Sequence, residues 1–182
     1  MNKIPKKILF SLPKFSDLRG SLSLLRCKTI KKGTKNVPDF FTKNPDQIFI
    51  SETKPWHGRG LHYQKKNPLL QTVTVISGKI EECLVEIVQT EKDVEYITYK
   101  GSISSEDDFN SFIVPKGWAH GFYTKSNKAT IIYQVWGERS INDEHGYNLT
   151  DSKFGFLKNI ELNKIKLNER DESFNCISDC KI

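Results

Sequence analysis

Three stretches of the chain hold residue types able to move a proton or grip an anion. The first is Gly58-Arg59-Gly60-Leu61-His62-Tyr63-Gln64. Its glycines allow close backbone approach, and Arg59, His62 and Gln64 bring donors and an acid/base group. If Gly60–Gln64 is a strand, His62 and Gln64 share one face, opposite Leu61 and Tyr63. Strict alternation leaves Arg59 on the wrong face, so joining it to His62 requires a bulge or an irregular start near Gly60. These residues alone leave open a core histidine satisfied by hydrogen bonds and an acid/base group in a site. The second stretch is Pro115-Lys116-Gly117-Trp118-Ala119-His120-Gly121-Phe122. Here proline and glycine frame a tight loop, and the small neighbours of His120 allow a ligand to approach it; a plain connection between strands fits equally. The third is Tyr133 in Ile131-Ile132-Tyr133-Gln134-Val135-Trp136, on one strand face with Ile131 and Val135. A phenol aimed into an apolar interior needs a partner, and either packing or a proton donor in a dry cavity accounts for it.

Metal chemistry fits the spacing poorly. A metal-binding barrel of this kind needs two histidines two apart, a carboxylate and a distant histidine. Here His62 is followed by Gln64, and the chain has four histidines in all. No metal centre is expected. Cys176 and Cys180 have no histidine at ligand spacing, and Cys27 and Cys83 complete a set too sparse for a disulfide framework. Cys83 falls in an apolar strand pattern and reads as a reduced core residue.

The elements that must position these residues are short and mostly of period two. Gln47–Thr53, Gly60–Gln64, Thr72–Ile76, Ile80–Val88, Val94–Tyr99, Ser111–Val114 and Ala129–Trp136 read as strands. Ser77-Gly78-Lys79 reads as a tight turn that makes Ile80–Val88 the hairpin partner of the strand before it, with Cys83, Val85 and Ile87 on one face. Ser104–Phe109 is acidic and reads as a helical turn or loop. From Lys153 the pattern becomes an irregular extension with room for one short helix. Regular short strands with little helix imply an all-β sandwich or barrel.

The 182 residues suit one domain, spanning 1–182 with its core at about 10–175. The composition, 37% hydrophobic and 27% charged with eleven Phe, six Tyr and three Trp, excludes a disordered chain. The net charge of +6 suits an anionic partner. The lysines are scattered, with only Lys3, Lys6 and Lys7 close together. No helix carries a basic stripe, so nucleic acid is not the expected partner. No apolar run spans a bilayer and no apolar leader opens the chain, so no membrane role and a cytoplasmic location are expected.

The order of motifs resembles the dTDP-4-dehydrorhamnose 3,5-epimerase family. Phe15, Asp17 and Arg19-Gly20 come first, then RGLHYQ at 59–64, VPKGWAHGF at 114–122, Tyr133, and NERD at 168–171. The resemblance covers roughly residues 10–175. It implies a cupin-type jelly-roll barrel without metal or cofactor, working as a homodimer with exchanged strands on a nucleotide-linked keto-sugar. It further implies His62 as general base, Asp171 as the carboxylate orienting it, and Tyr133 as the phenol returning a proton on the opposite face. Arg19, Gln47, Arg59 and His120 fall on positions that contact the sugar nucleotide, and Gln64 and Gln71 join them as candidate substrate contacts. The chemistry agrees: a histidine with a carboxylate partner is a suitable base at neutral pH, and arginines suit a pyrophosphate.

The sequence departs from the family pattern at several points. Counting back from Gly78, the family's enolate-stabilising lysine falls on Gln71, which donates a hydrogen bond but no charge; losing one such donor costs about 10²–10³-fold in rate. Leu24 stands where an acidic residue is usual, Phe49 or Ile50 where an asparagine is, and Leu157-Lys158 replace a tryptophan-proline pair. The expected activity is epimerisation at C3, C5 or both of a nucleotide-linked 4-keto-6-deoxy sugar. The alternatives are an isomerase that moves the carbonyl and a non-catalytic sugar-nucleotide-binding cupin.

Overall fold

The β-branched run Thr72–Ile76 forms the middle of a sheet, as such side chains favour, and the rest of the chain is laid around it. The computed structural model describes residues 1–12, 14–18, 20–25, 40, 43–157 and 164–177. Their strands are β1 (Asn2–Lys3), β2 (Leu9–Phe10), β3 (Lys14–Asp17), β4 (Gly20–Ser23), β5 (Gln47–Thr53), β6 (Gly58–Gln64) and β7 (Leu70–Ser77). After these come β8 (Lys79–Gln89), β9 (Val94–Ser104), β10 (Ser111–Val114), β11 (Ala119–Thr124), β12 (Ala129–Trp136) and β13 (Glu144–Gly146). The α-helix described is α1, Glu169–Glu172.

Two sheets face each other. One has the order β1-β9-β8-β11-β6-β13 and the other β2-β10-β7-β12-β5, while β3 and β4 form a separate pair. This is the two-sheet jelly roll expected of a cupin. Between the sheets lie Val73, Val75, Ile80, Leu84, Phe112, Val114, Phe122 and Ile131. Burying a side chain of that size contributes roughly 1.5–3 kcal/mol.

The turn at Gly78 does not close a hairpin. β7 pairs with β10 and β12, whereas β8 pairs with β9 and β11, so Gly78 carries the chain from one sheet to the other. Its φ of 81° and its contact with the Lys128 carbonyl, 2.1 Å from where a Cβ would sit, leave only glycine there. The strand it leads into is buried on both faces. Ile80 and Leu84 face the opposite sheet, while Cys83 and Val85 face outward into a second core with Leu149, Phe154, Phe156 and Leu157. The C-terminal extension is therefore the cover of the six-stranded sheet. Ser104–Phe109 is a loop, closed where the Ser104 amide donates to Asp107 Oδ2 at 2.7 Å.

Candidate active site

The bulge demanded by Arg59 is present in β6. His120 of β11 pairs with His62, but Phe122 pairs with Arg59, so three residues of β6 match two of β11. The displaced residue is Gly60, at φ 95°, and a Cβ there would lie 2.5 Å from the His120 carbonyl oxygen. Across the pair, a Cβ on Gly121 would meet the Arg59 carbonyl at 2.6 Å. Both glycines are thus required for the strands to touch, and the result puts Arg59 and His62 on one wall of a single cavity. The bulge also aims the Gly60 amide at Asp171 Oδ2, 3.0 Å away.

Asp171 arrives from α1, whose first turn is fixed by Asn168: its Oδ1 accepts from the Asp171 amide at 2.8 Å. The other Asp171 oxygen, Oδ1, lies 2.7 Å from His62 Nε2. Arg170 Nη2, which can only donate, lies 3.0 Å from the same ring nitrogen, so Asp171 and Arg170 together fix the orientation of the His62 ring. Burial alone would raise the Asp171 pKa; the bond and charge of His62, the Gly60 amide and Arg170 outweigh it and hold the carboxyl below its usual range. Glu144 of β13 stands 3.7 Å from Nδ1. Its two oxygens are taken by Arg139 and by Arg170, the latter at 2.8 Å.

The cavity is ≈ 390 Å³, within the usual range for small-molecule sites. Arg59, His62 and His120 line it from the six-stranded sheet, and Ser51, Gln71 and Tyr133 from the five-stranded sheet. Tyr133 accordingly faces the histidines from the opposite wall, its ring centroid 6.1 Å from that of His120. Burial raises the phenol pKa, Glu82 pushes it further, and Arg59 opposes both. The phenol is therefore kept protonated.

His120 is not in a loop. The turn ends at Trp118 and His120 is the second residue of β11, the strand between β6 and β8. Alternation on a strand flanked by two others fixes its ring toward the cavity, where a loop residue would have been free to move. Its Nδ1 lies 3.2 Å from Glu82 Oε1. Glu82 was missed in the sequence. It occupies the inward face of β8 between Ile80 and Leu84, is fully buried, and has no hydrogen-bond partner for Oε2 among the described residues. Two apolar residues at i ± 2 around a carboxylate were the signal, hidden because the opposite face, Cys83 and Val85, is equally apolar. Burial lifts the Glu82 pKa to about 7 against the opposing bond and charge of His120 and the Gly121 amide.

The other expected contacts divide. Arg59 donates through Nε to Thr53 Oγ1 at 3.2 Å and, among the described residues, forms no ion pair. Gln71 lines the cavity. Gln64 does too, but its amide is spent on the backbone of Ser140, donating to O at 2.9 Å and accepting from N at 3.1 Å. Gln47 opens β5 outside the cavity lining, with a buried Oε1 that has no hydrogen-bond partner among the described residues. Arg19 lies outside the described residues, as do Cys27 and Cys180. Among the described residues no group of three His, Cys, Asp or Glu is placed to hold a metal ion.

The chain is similar to known proteins. The family model described as dTDP-4-dehydrorhamnose 3,5-epimerase matches residues 1–179. A protein of that name from Methanothermobacter thermautotrophicus is 32% identical over 76 residues, 42% of this chain and 40% of its own length. One from Shigella flexneri is 26% identical over 164 residues, 78% of this chain and 83% of its own. In structure, the chain is similar to a dTDP-6-deoxy-D-glucose-3,5-epimerase from Legionella pneumophila, solved in complex with dTDP-4-keto-L-rhamnose. The TM-score is 0.75 at 20% identity, covering 99% of this chain and 93% of that one.

Proposed function

Since the chain belongs to the dTDP-4-dehydrorhamnose 3,5-epimerase family, we propose that it epimerises a dTDP-linked 4-keto-6-deoxy sugar at C3, C5 or both. The observation that carries this reading is the placing of a histidine–carboxylate pair and a protonated phenol on opposite walls of one cavity. Epimerisation needs that arrangement, because a proton leaves one face of the sugar and returns to the other.

His62 takes the proton from the carbon beside the keto group, with Asp171 stabilising the imidazolium formed. The C–H electron pair becomes a C=C bond and the carbonyl oxygen takes up the charge. Tyr133 then gives its proton to the opposite face of the carbon, and the carbonyl re-forms. The adjacent carbonyl already acidifies the C–H bond, so these steps call on no cofactor. Arg59 is the cation for the pyrophosphate, and Arg19 and Gln47 are further contacts to the nucleotide or sugar.

We take the working unit to be a homodimer. Ile48 and Ile50 on β5, at the edge of the five-stranded sheet, and Leu18 and Leu22 of the β3–β4 pair are exposed apolar side chains that a second copy would cover. Among the described residues no helix is long and apolar enough to cross a membrane. The cytoplasm is the expected location, with the product destined for a surface polysaccharide or a glycosylated metabolite.

The test is incubation with dTDP-4-keto-6-deoxyglucose in D₂O, followed by NMR. Loss of the C3 or C5 proton signal supports the reading, and a His62→Ala sample must lose that exchange. Exchange unchanged in His62→Ala would sink it. Movement of the carbonyl to a neighbouring carbon would instead identify an isomerase.

A further inference from the structure

The enolate oxygen needs a donor, and the cations in the cavity are largely committed elsewhere. Arg139 and Arg170 both lie on Glu144, which offsets their charge. Arg59 is assigned to the pyrophosphate. On the wall beside Tyr133 the polar side chains are Ser51, Glu52 and Gln71, none of which carries a positive charge. His120 remains. Its Nδ1 is tied to Glu82 behind it, which leaves Nε2 as the free nitrogen of a ring that lines the cavity and faces Tyr133.

We propose that His120, positioned by the buried Glu82, donates the Nε2–H hydrogen bond that stabilises the enolate oxygen; this rests on the epimerase reading above. The pair needs one shared proton for the purpose. With that proton on His120, an imidazolium faces a carboxylate; with it on Glu82, a neutral acid donates to Nδ1. Either way Nε2 bears a hydrogen and the pair is neutral, which suits a site where Glu82 is fully buried and its Oε2 has no hydrogen-bond partner among the described residues. When His62 removes the proton from carbon, the C–H pair forms the C=C bond and the carbonyl π pair moves onto oxygen. The Nε2–H bond strengthens as that charge develops. When Tyr133 protonates carbon, the pair returns to the carbonyl and the His120–Glu82 proton has never left. His120 is thus a catalytic residue and Glu82 a positioning residue.

The test is His120→Gln, with His120→Asn in its place should the Gln variant fail to bind dTDP. Deuterium exchange into dTDP-4-keto-6-deoxyglucose should fall about 10²–10³-fold while calorimetry still detects dTDP binding. Adding Gln71→Lys should then restore exchange, because a lysine supplies the missing charge from the facing wall. A histidine that only shaped the cavity would not be replaced by a cation on the other sheet. Exchange at the wild-type rate in His120→Gln overturns the inference, and so does a double variant no faster than the single one. If the wild-type chain itself exchanges nothing, the epimerase reading fails first and this inference falls with it.

Discussion

Glu82 makes the stability of the fold depend on pH in a direction opposite to most carboxylates. Burial lifts its pKa from 4.5 to about 7. Between those values the folded chain holds a proton that the unfolded chain has released, so stability falls as pH rises through that window. The contribution is fully present below pH 4.5 and is lost as pH passes about 7. Ionising the carboxyl in place costs about 3 kcal/mol. Among the described residues, the titratable groups that interact with it are His120 from β11 and Tyr133 from β12, with Cys83 beside it on β8. The hydrogen bond and charge of His120 and the Gly121 amide oppose the effect of burial and are outweighed. Glu82→Gln is an isostere that stays neutral at every pH. Any cost of its extra amide hydrogens is the same at each pH and cancels from the trend. The difference in melting temperature, variant minus wild type, should therefore grow from pH 4.5 to pH 8.5. For a chain of this length about 3 kcal/mol corresponds to roughly 6–12 °C. Circular dichroism melts of the two proteins across that range measure it. Parallel curves, or a wild type that gains on the variant as pH rises, would show that His120 keeps Glu82 ionised and would refute the reasoning.

Gly60→Ala should cost more than about 2 kcal/mol, since the position combines a positive φ with a Cβ driven onto the His120 carbonyl; a melt no lower than wild type would contradict the packing described. Asp171→Asn should slow deuterium exchange about 10²–10⁴-fold with dTDP binding intact, because the base loses its orienting charge and not its pocket. Arg59→Ala should weaken dTDP binding about 10–100-fold by calorimetry, the value of a charge-assisted hydrogen bond to phosphate. Sedimentation equilibrium should give twice the chain mass, and Ile50→Asp on the exposed edge of β5 should shift that toward the monomer.

The fold class was legible because period-two alternation and β-branched runs act locally. Strand partners were not. Gly78 looked like a hairpin turn from its neighbours, but a glycine at positive φ serves equally where a chain changes sheets; the close Lys128 carbonyl comes from far along the sequence. His120 was misplaced for a related reason. Pro115 and Gly117 do mark a turn, yet the glycine at 121 is there for the crossing with β6 and does not extend the loop. The conflict at Arg59 was informative, since a strict strand could not bring it to His62 and the bulge at Gly60 does. Glu82 was out of reach because Cys83 and Val85 made the other face of β8 look like the core.

The bulge and the extension also explain why the proposed base and acid keep their places. Packed sheets lie about 10 Å apart, and the cavity between them has His62 on one wall and Tyr133 on the other. Each must be held from its own side. Tyr133 is held by a regular strand, paired with Phe49 on β5 and Val73 on β7. His62 is held by a carboxylate that the same Gly60 bulge anchors through its amide, and α1 delivers that carboxylate from the end of the chain. A substitution that straightened β6 would therefore do more than move Arg59. It would withdraw the Gly60 amide from Asp171, loosen the carboxylate on His62, and turn the proposed base away from Tyr133.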